Sequence, residues 1–342
     1  MKILLGISGG VDSAYAARKL LDEGHDVCGA ILRMHEYSEI DSARCLADEI
    51  GIPLVVIDAT ESFDRIVKGN FCDEYVSGRT PNPCIICNER VKFALLHSYA
   101  KANGFDKIAT GHYARIVYRL NDGVCKPTLM KGIDESKDQS YMLYRLSESI
   151  LADTVFPLGE MTKTDVRRLS KNAGMTVSER PDSQEICFLP DGNYPEFVEN
   201  VKGKCQSGNF IDPDGKILGQ HKGIIHYTVG QRKGLGISLG ERSFVVDING
   251  SENTVTLASK PREIEEVSLA DVVYSCAYPA EAIVGRSFLV KLRYSAAPVS
   301  AIVKEATEHG ISLVLSKPSK CSPGQSAVAY SCDEVAFGGV IV

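Results

Sequence analysis

The chain opens with MKILLGISGGVDS (Met1–Ser13), and this stretch decides the architecture of its first half. Ile3, Leu4, Leu5 and Ile7 form a short apolar run suited to a buried parallel strand. Ser8-Gly9-Gly10 then turns into an alanine-rich helical stretch predicted from Asp12 to about Glu23. Two adjacent glycines let the backbone approach an anion closely, while Ser8, Ser13 and the N–H groups of the first helical turn are donors for phosphate oxygens. No lysine follows the glycines, so the G-x-x-x-x-G-K-[ST] pattern is absent. A strand–turn–helix of small residues without a nucleotide is the plainer reading. The order Ser-Gly-Gly-x-Asp-Ser directly after a strand argues against it.

Strands and helices continue to alternate. Asp26–Leu32 and Pro53–Ile57 read as strands, Asp41–Glu49 and Glu89–Asn103 as helices, and Lys107–Ala109 as a strand followed by Gly111-His112-Tyr113. That alternation implies a parallel α/β sheet with ligands beyond the strand C-termini, where Ser8–Gly10 and Thr110–His112 would both lie. Thr162, with Asp165 three residues on, marks a helix start. After about Val198 the composition shifts. Gly203–Gly240 is glycine-rich with little helical period, and from Leu269 short runs (Ile283–Val284, Ser287–Leu292, Val299–Val303, Ile311–Leu315) are divided by Gly and Pro, as in a β-barrel or sandwich.

A length of 342 residues fits two or three domains, and 44% hydrophobic with 24% charged residues is a globular composition. No stretch approaches a membrane span, and Gly6, Gly9, Gly10 and Asp12 interrupt any signal-peptide pattern, so the cytoplasm is the expected location. The net charge of −6 argues against nucleic acid by itself, although local fields can oppose the mean. Eleven cysteines, an odd number in a large core-rich chain, do not suggest a secreted disulfide framework. Cys84 and Cys87 lie in PNPCIICN just before the helix expected near Glu89, and Cys187 lies in DSQEICF. A helix N-terminus lowers a thiol pKa, which would leave a cysteine near Glu89 partly thiolate. The CxxC pair alone admits a disulfide, half a zinc site, part of an iron–sulfur site, or two unrelated buried thiols.

The SGGVDS string resembles the pyrophosphate-binding loop of adenylating ATP pyrophosphatases. With NPCIICN (Asn82–Asn88), ATGHYAR (Ala109–Arg115), KDQSYML (Lys137–Leu143), FPLGEMTK (Phe156–Lys163), SQEICFL (Ser183–Leu189), GQRKGLGI (Gly230–Ile237) and PGQSAVAY (Pro323–Tyr330), the chain resembles the bacterial tRNA-specific 2-thiouridylase family over almost its whole length. This resemblance implies an adenine nucleotide hydrolase-like α/β domain over 1–200, a small central tRNA-contacting domain over 201–266 and a C-terminal β-barrel over 267–342. It implies ATP and Mg²⁺ as the adenylating pair. It also implies transfer of persulfide sulfur to C2 of the wobble uridine in tRNAs decoding Lys, Glu and Gln, with a cysteine desulfurase or sulfur relay protein as donor.

Residue roles follow by the same resemblance. Gly6, Ile7, Ser8, Gly9, Gly10, Val11, Asp12, Ser13, Leu32 and Gly111 would bind ATP, and Asp12 would organise Mg²⁺ or cap the helix. Cys187 would receive persulfide sulfur, and Cys87 would attack that persulfide or form the resolving disulfide. Cys84 stands where some members carry an aspartate proposed as acid or base, work a thiol does not automatically take over; with Cys87 and Cys187 it would alternatively be the third ligand of a 4Fe-4S cluster. Lys137, Asp138 and Gln139 would orient substrate or phosphates, with a solvated turn as the alternative. His112 would hold a loop or touch nucleotide, Gln184 would shape the base pocket, and Gln231, Arg232 and Lys233 would contact RNA.

Overall fold

The apolar runs of the first half become one parallel sheet. β1 (Lys2–Gly6), β2 (Asp26–Arg33), β3 (Leu54–Asp58) and β4 (Lys107–Thr110) are connected through helices that include α1 (Val11–Asp22) and α2 (Ile40–Ile50). β5 (Ala114–Asn121) and β6 (Val124–Lys131) leave as an antiparallel hairpin, and β7 (Thr154–Val155) returns to the sheet. The computed structural model describes residues 1–121, 123–179, 186–238, 240 and 242–342, without the side chains of 121 and 179. The strand order is β3-β2-β1-β4-β7, all parallel. From β1 the chain steps outwards to β3, then crosses back to β4 on the other flank. The connection therefore reverses between β1 and β4, and the crevice beyond their C-terminal ends is where such sheets take ligands.

The middle of β1, Ile3–Leu5, is apolar at every position because both of its faces are covered. Leu4 packs into one cluster with Phe93 and Ile108, while Ile3 and Leu5 pack into a second with Ala14, Ala17 and Leu20. Thr162 caps the helix Lys163–Asn172 as its sequence implies, accepting the Asp165 N–H at 3.1 Å.

Two expectations shift. The helix carrying the CxxC pair begins at Pro83 rather than near Glu89 and runs without a break to Ala102, with a π-helical segment at Asn88–Lys92. Proline suits a first helical position because the N–H it lacks has no partner there. Ile283–Val284 is not a strand either: Ile283 ends a short helix, Ala280–Ile283.

Beyond the first sheet, β8 (Gly208–Ile211), β9 (Ile217–His221), β10 (Phe244–Asn249) and β11 (Thr254–Ala258) form a small sheet, ordered β10-β11-β8-β9. The remaining strands are β12 (Ile264–Tyr274), β13 (Ser287–Lys291), β14 (Val299–Ala306), β15 (Gly310–Ser319), β16 (Ser326–Ser331) and β17 (Glu334–Ile341). They run in the order β12-β15-β14-β13-β16-β17, and a β12–β17 pairing closes them into a six-stranded barrel. Alternate residues such as Phe288 and Val290, or Val299, Ala301 and Val303, point inwards to fill it.

The barrel is docked on the first domain. The Tyr141 hydroxyl donates to the Ser326 carbonyl at 2.7 Å, and Met130 of β6 pairs with Glu334 of β17. Arg115 and Arg119 of β5 pair with Asp333 and Glu334 at the surface, and Arg145 is the buried ionic link, reaching Glu89 at 2.8 Å and the Asp271 carboxylate at 2.9 Å. Arg145→Met should lower stability by about 3 kcal/mol, because Glu89 would keep its charge in a half-desolvated site with only the looser Arg90 contact, at 3.4 Å, to meet it. A urea titration reads the shift, and a loss below about 1 kcal/mol would reduce the link to an ordinary surface pair.

Candidate active site

The register Gly6–Thr110 between β1 and β4 sets the loops Ser8–Gly10 and Gly111–His112 side by side over the crevice. The Ser8 N–H donates to the Ser13 hydroxyl at 3.2 Å, and the Ser13 hydroxyl donates to the Gly10 carbonyl at 3.0 Å. α1 starts at Val11 with no side-chain cap, so its first-turn N–H groups face outwards into the loop. Gly9 holds φ at +79°, and a Cβ there would lie 3.1 Å from that of Ser42. A Cβ on Gly111 would lie 3.0 Å from the Asp12 carbonyl carbon and the Ser13 nitrogen, so only glycine lets the β4 loop rest on the first turn of α1. Ile7 and Val11 are buried beneath the loop and contribute packing. Leu32 lies near the C-terminal end of β2, at the same edge of the sheet.

Asp12 is committed within the protein. The buried Lys163 places its ammonium 2.8 and 2.7 Å from the two carboxylate oxygens, and the Tyr113 hydroxyl donates to Oδ1 at 2.7 Å. A magnesium ion at Asp12 would have to share the carboxylate with the Lys163 ammonium. Lys163 is a site residue that sequence reasoning passed over. A lysine in the first turn of a polar helix reads as a surface group, and only burial against Asp12 distinguishes it.

The thiols gather at the same edge. Cys87 is buried, with its sulfur 3.9 Å from that of Met34, which follows β2. Cys187 is exposed, but the neighbouring Phe188 is buried among the rings of Phe63, Phe71 and Phe197 at 5.3–5.5 Å. Cys84, Cys87 and Cys187 lie within electrostatic reach of one another.

The expectation of a thiolate favoured by the helix terminus is corrected. Burial pushes the Cys87 thiol up to about 11 and raises Cys187 as well, outweighing the helix terminus. Cys84 meets solvent at the mouth of the cleft, yet the protein around it raises its thiol too. No disulfide joins any of the eleven cysteines. Among the described residues no three His, Cys, Asp or Glu side chains come together to hold a metal.

His112 packs between Phe93 and Phe156 and shares a 2.8 Å hydrogen bond with Thr110. Burial lowers its pKa to about 3, so it is neutral under ordinary conditions and holds the loop. The solvated-turn alternative for Lys137–Gln139 gives way to an inward turn. Asp138 is buried and accepts the N–H groups of Gly132 and Ser140 at 3.1 and 3.0 Å, and Gln139 accepts the Tyr113 N–H at 2.9 Å. Tyr294, brought from the barrel, faces Lys137, Asp138 and Cys84. No local pattern announces that residue. Gln184 lies outside the described residues. Gln231 braces its own loop through the Thr228 N–H and the Lys233 carbonyl, both at 3.0 Å. Arg232 and Lys233 are exposed, and Arg232 and Arg242 border an open hollow of about 620 Å³.

A glycine loop opening onto a helix N-terminus at the switch point of a parallel sheet, with thiols at the same edge, is the layout of an adenylating α/β enzyme equipped for sulfur chemistry. The family described as the tRNA methyl transferase HUP domain matches residues 1–191, and the tRNA methyl transferase PRC-barrel domain matches 195–259. The tRNA-specific 2-thiouridylase MnmA of Carboxydothermus hydrogenoformans is 39% identical, over 99% of this chain and 97% of its own. That of Acetivibrio thermocellus is 40% identical over 99% of each chain. A solved 4-thiouridine synthetase in complex with RNA and ATP shares 18% identity over 58% of this chain and 50% of its own, with a TM-score of 0.39, too remote to bear on the argument. The chain belongs to the tRNA-specific 2-thiouridylase family.

Proposed function

We propose that this enzyme, a tRNA-uridine 2-sulfurtransferase, uses ATP to convert uridine 34 of tRNAs decoding Lys, Glu and Gln into 2-thiouridine. The observation that supports this reading is that the Ser8–Ser13 loop follows β1 and Cys87 lies against Met34 after β2, at the same edge of the sheet, with Cys187 within electrostatic reach of Cys87. Oxygen at uracil C2 is a poor leaving group. Attack of that oxygen on the α-phosphorus of ATP expels pyrophosphate, which the loop donors hold, and leaves C2 bonded to an adenylate.

The terminal sulfur of a Cys187 persulfide then attacks C2 and expels AMP. Cys87 attacks the Cys187 sulfur, forming a Cys87–Cys187 disulfide and leaving the electron pair of the broken S–S bond on the 2-thiouridine sulfur. A dithiol reductant restores both thiols, and a cysteine desulfurase or relay protein reloads Cys187. Magnesium would accompany the nucleotide phosphates and spread their charge. Reaction on tRNA with reducible thiols suits the cytoplasm, and among the described residues no helix is long and apolar enough to cross a membrane.

The domain descriptions name methyl transfer instead, a chemistry that needs neither a pyrophosphate loop nor paired thiols. Incubation with ATP, tRNA and a persulfide donor separates the readings. AMP and pyrophosphate should appear together with sulfur-for-oxygen exchange in the tRNA, whereas ADP and phosphate, or a methyl gain, would overturn the assignment.

Arg232 and Lys233 are the proposed RNA contacts of the central domain. Replacing both with alanine should weaken tRNA binding and flatten its salt dependence, reducing the logarithmic slope by up to about one per lost phosphate contact. ATP binding should not change. Equal tRNA affinity across a salt series would return the pair to the solvated surface.

A further inference from the structure

Lys92 has no part in the chemistry above, yet it stands among the groups that perform it. It is half-buried, and among the described residues its ammonium has no hydrogen-bond or ion-pair partner. It closes the π-helical segment Asn88–Lys92, five positions after Cys87. In an α-helix of 3.6 residues per turn, a side chain five positions on lies about 140° around the axis from the first. The wider π turn brings Lys92 back towards the thiol face, and such local widenings recur at functional sites. Its charge faces Cys84 and Cys87 on its own helix, Cys187 on the loop held by Phe188, and His112 after β4. His112 is neutral there, so it does not compete as a second cation. Cys84 is also faced by Tyr294 from the barrel, a group that brings no positive charge.

We propose that Lys92 is a positioning residue of the sulfur-transfer step, the cation that the π turn carries to the thiol cluster so that Cys87 can react as a nucleophile. This rests on the thiolation reading and extends it. Burial keeps Cys87 protonated at rest, which protects it from adventitious oxidation. The Lys92 ammonium, and the Lys92 backbone N–H that also favours the charged sulfur, offset part of that burial. When Cys87 gives its proton to solvent, the thiolate left behind has a cation beside it; its attack forms the bond to the Cys187 sulfur and leaves the electron pair of the broken S–S bond on the 2-thiouridine sulfur.

The test compares Lys92→Met, Lys92→Gln and Lys92→Arg with the unmodified protein, without tRNA. Iodoacetamide labelling across a pH series, read at each cysteine by peptide mass spectrometry, gives the ionisation profile of Cys87. Loss of the charge should move the Cys87 midpoint up by about one pH unit. At pH 8 the labelling rate should then fall about threefold, less than the tenfold loss of thiolate because a more basic thiolate is a better nucleophile. Lys92→Arg should restore the midpoint, and labelling of Cys45, exposed and remote in the chain from the cluster, should be the same in all four proteins.

Unshifted midpoints in both neutral variants would overturn the proposal, as would an arginine variant that behaves like glutamine. Lost ATP binding in the neutral variants with an unchanged Cys87 profile would instead assign Lys92 to the nucleotide. Failure of the unmodified protein to thiolate tRNA would sink the functional reading and leave the Cys87 profile to be judged on its own.

Discussion

Cys187→Ser protein should yield no 2-thiouridine, while Cys87→Ser protein should accept sulfur at Cys187 and keep it there. Loading needs only a solvent-accessible thiol, and Cys187 is exposed whereas Cys87 is buried. Release needs the second thiol, because breaking the S–S bond to the RNA sulfur requires a nucleophile that replaces it on the Cys187 sulfur. Intact-protein mass spectrometry should therefore show a persulfide, or a Cys187-linked RNA, in the Cys87 variant and neither in the Cys187 variant. Both should bind ATP normally, since neither cysteine belongs to the Ser8–Ser13 loop. Efficient turnover by the Cys87→Ser protein would remove the resolving disulfide from the mechanism. Cys84→Asp is the informative companion: a persulfide route tolerates a carboxylate there as acid or base.

Lys163→Met should reduce adenylation by about a hundredfold, the usual scale for losing one group that stabilises developing charge. Asp12 sits in the first turn of α1, and its carboxylate is neutralised by Lys163 at 2.7 Å. Without that ammonium, a bare negative charge faces the position where pyrophosphate must leave. Pyrophosphate release should fall while tRNA affinity stays the same, and a thermal melt should verify that the variant remains folded. Combining Lys163→Met with Asp12→Asn decides what the lysine does. Partial recovery in the double variant would mean that Lys163 chiefly neutralises Asp12, and no recovery would mean that it also meets the phosphates. Adenylation by Lys163→Met within about threefold of the parent would exclude it from the charge-stabilising set.

Much of the first domain was legible because its signals are local. The run Ile3–Ile7, the turn Ser8–Gly10, the cap at Thr162 and the alternation along β13 and β14 each depend on neighbours a few positions away, and those neighbours are written in order. That the loops after β1 and β4 lie at the same edge of the sheet followed from strand–helix alternation, whereas their adjacency came from the strand order. The helix start at Pro83 was missed because the apolar positions that begin there, Ile85 and Cys87, meet a core built from distant segments, among them Phe63–Lys68 and Ser140–Leu143.

The sequence by itself determined a parallel α/β domain with a phosphate-cradling loop, a glycine-rich middle, a β-rich end and three thiols worth following. Tertiary structure alone decided how those groups behave. Lys163 is a core residue because Asp12 waits for it 151 positions away. Asp138 turns inwards because the amides of Gly132 and Ser140 need an acceptor, and Tyr294 enters the cleft because the barrel docks there. The thiols of Cys87 and Cys187 are raised rather than lowered for the same reason. A propensity or a turn is set by adjacent residues, whereas desolvation and charge pairing are set by whichever distant segments close over a site.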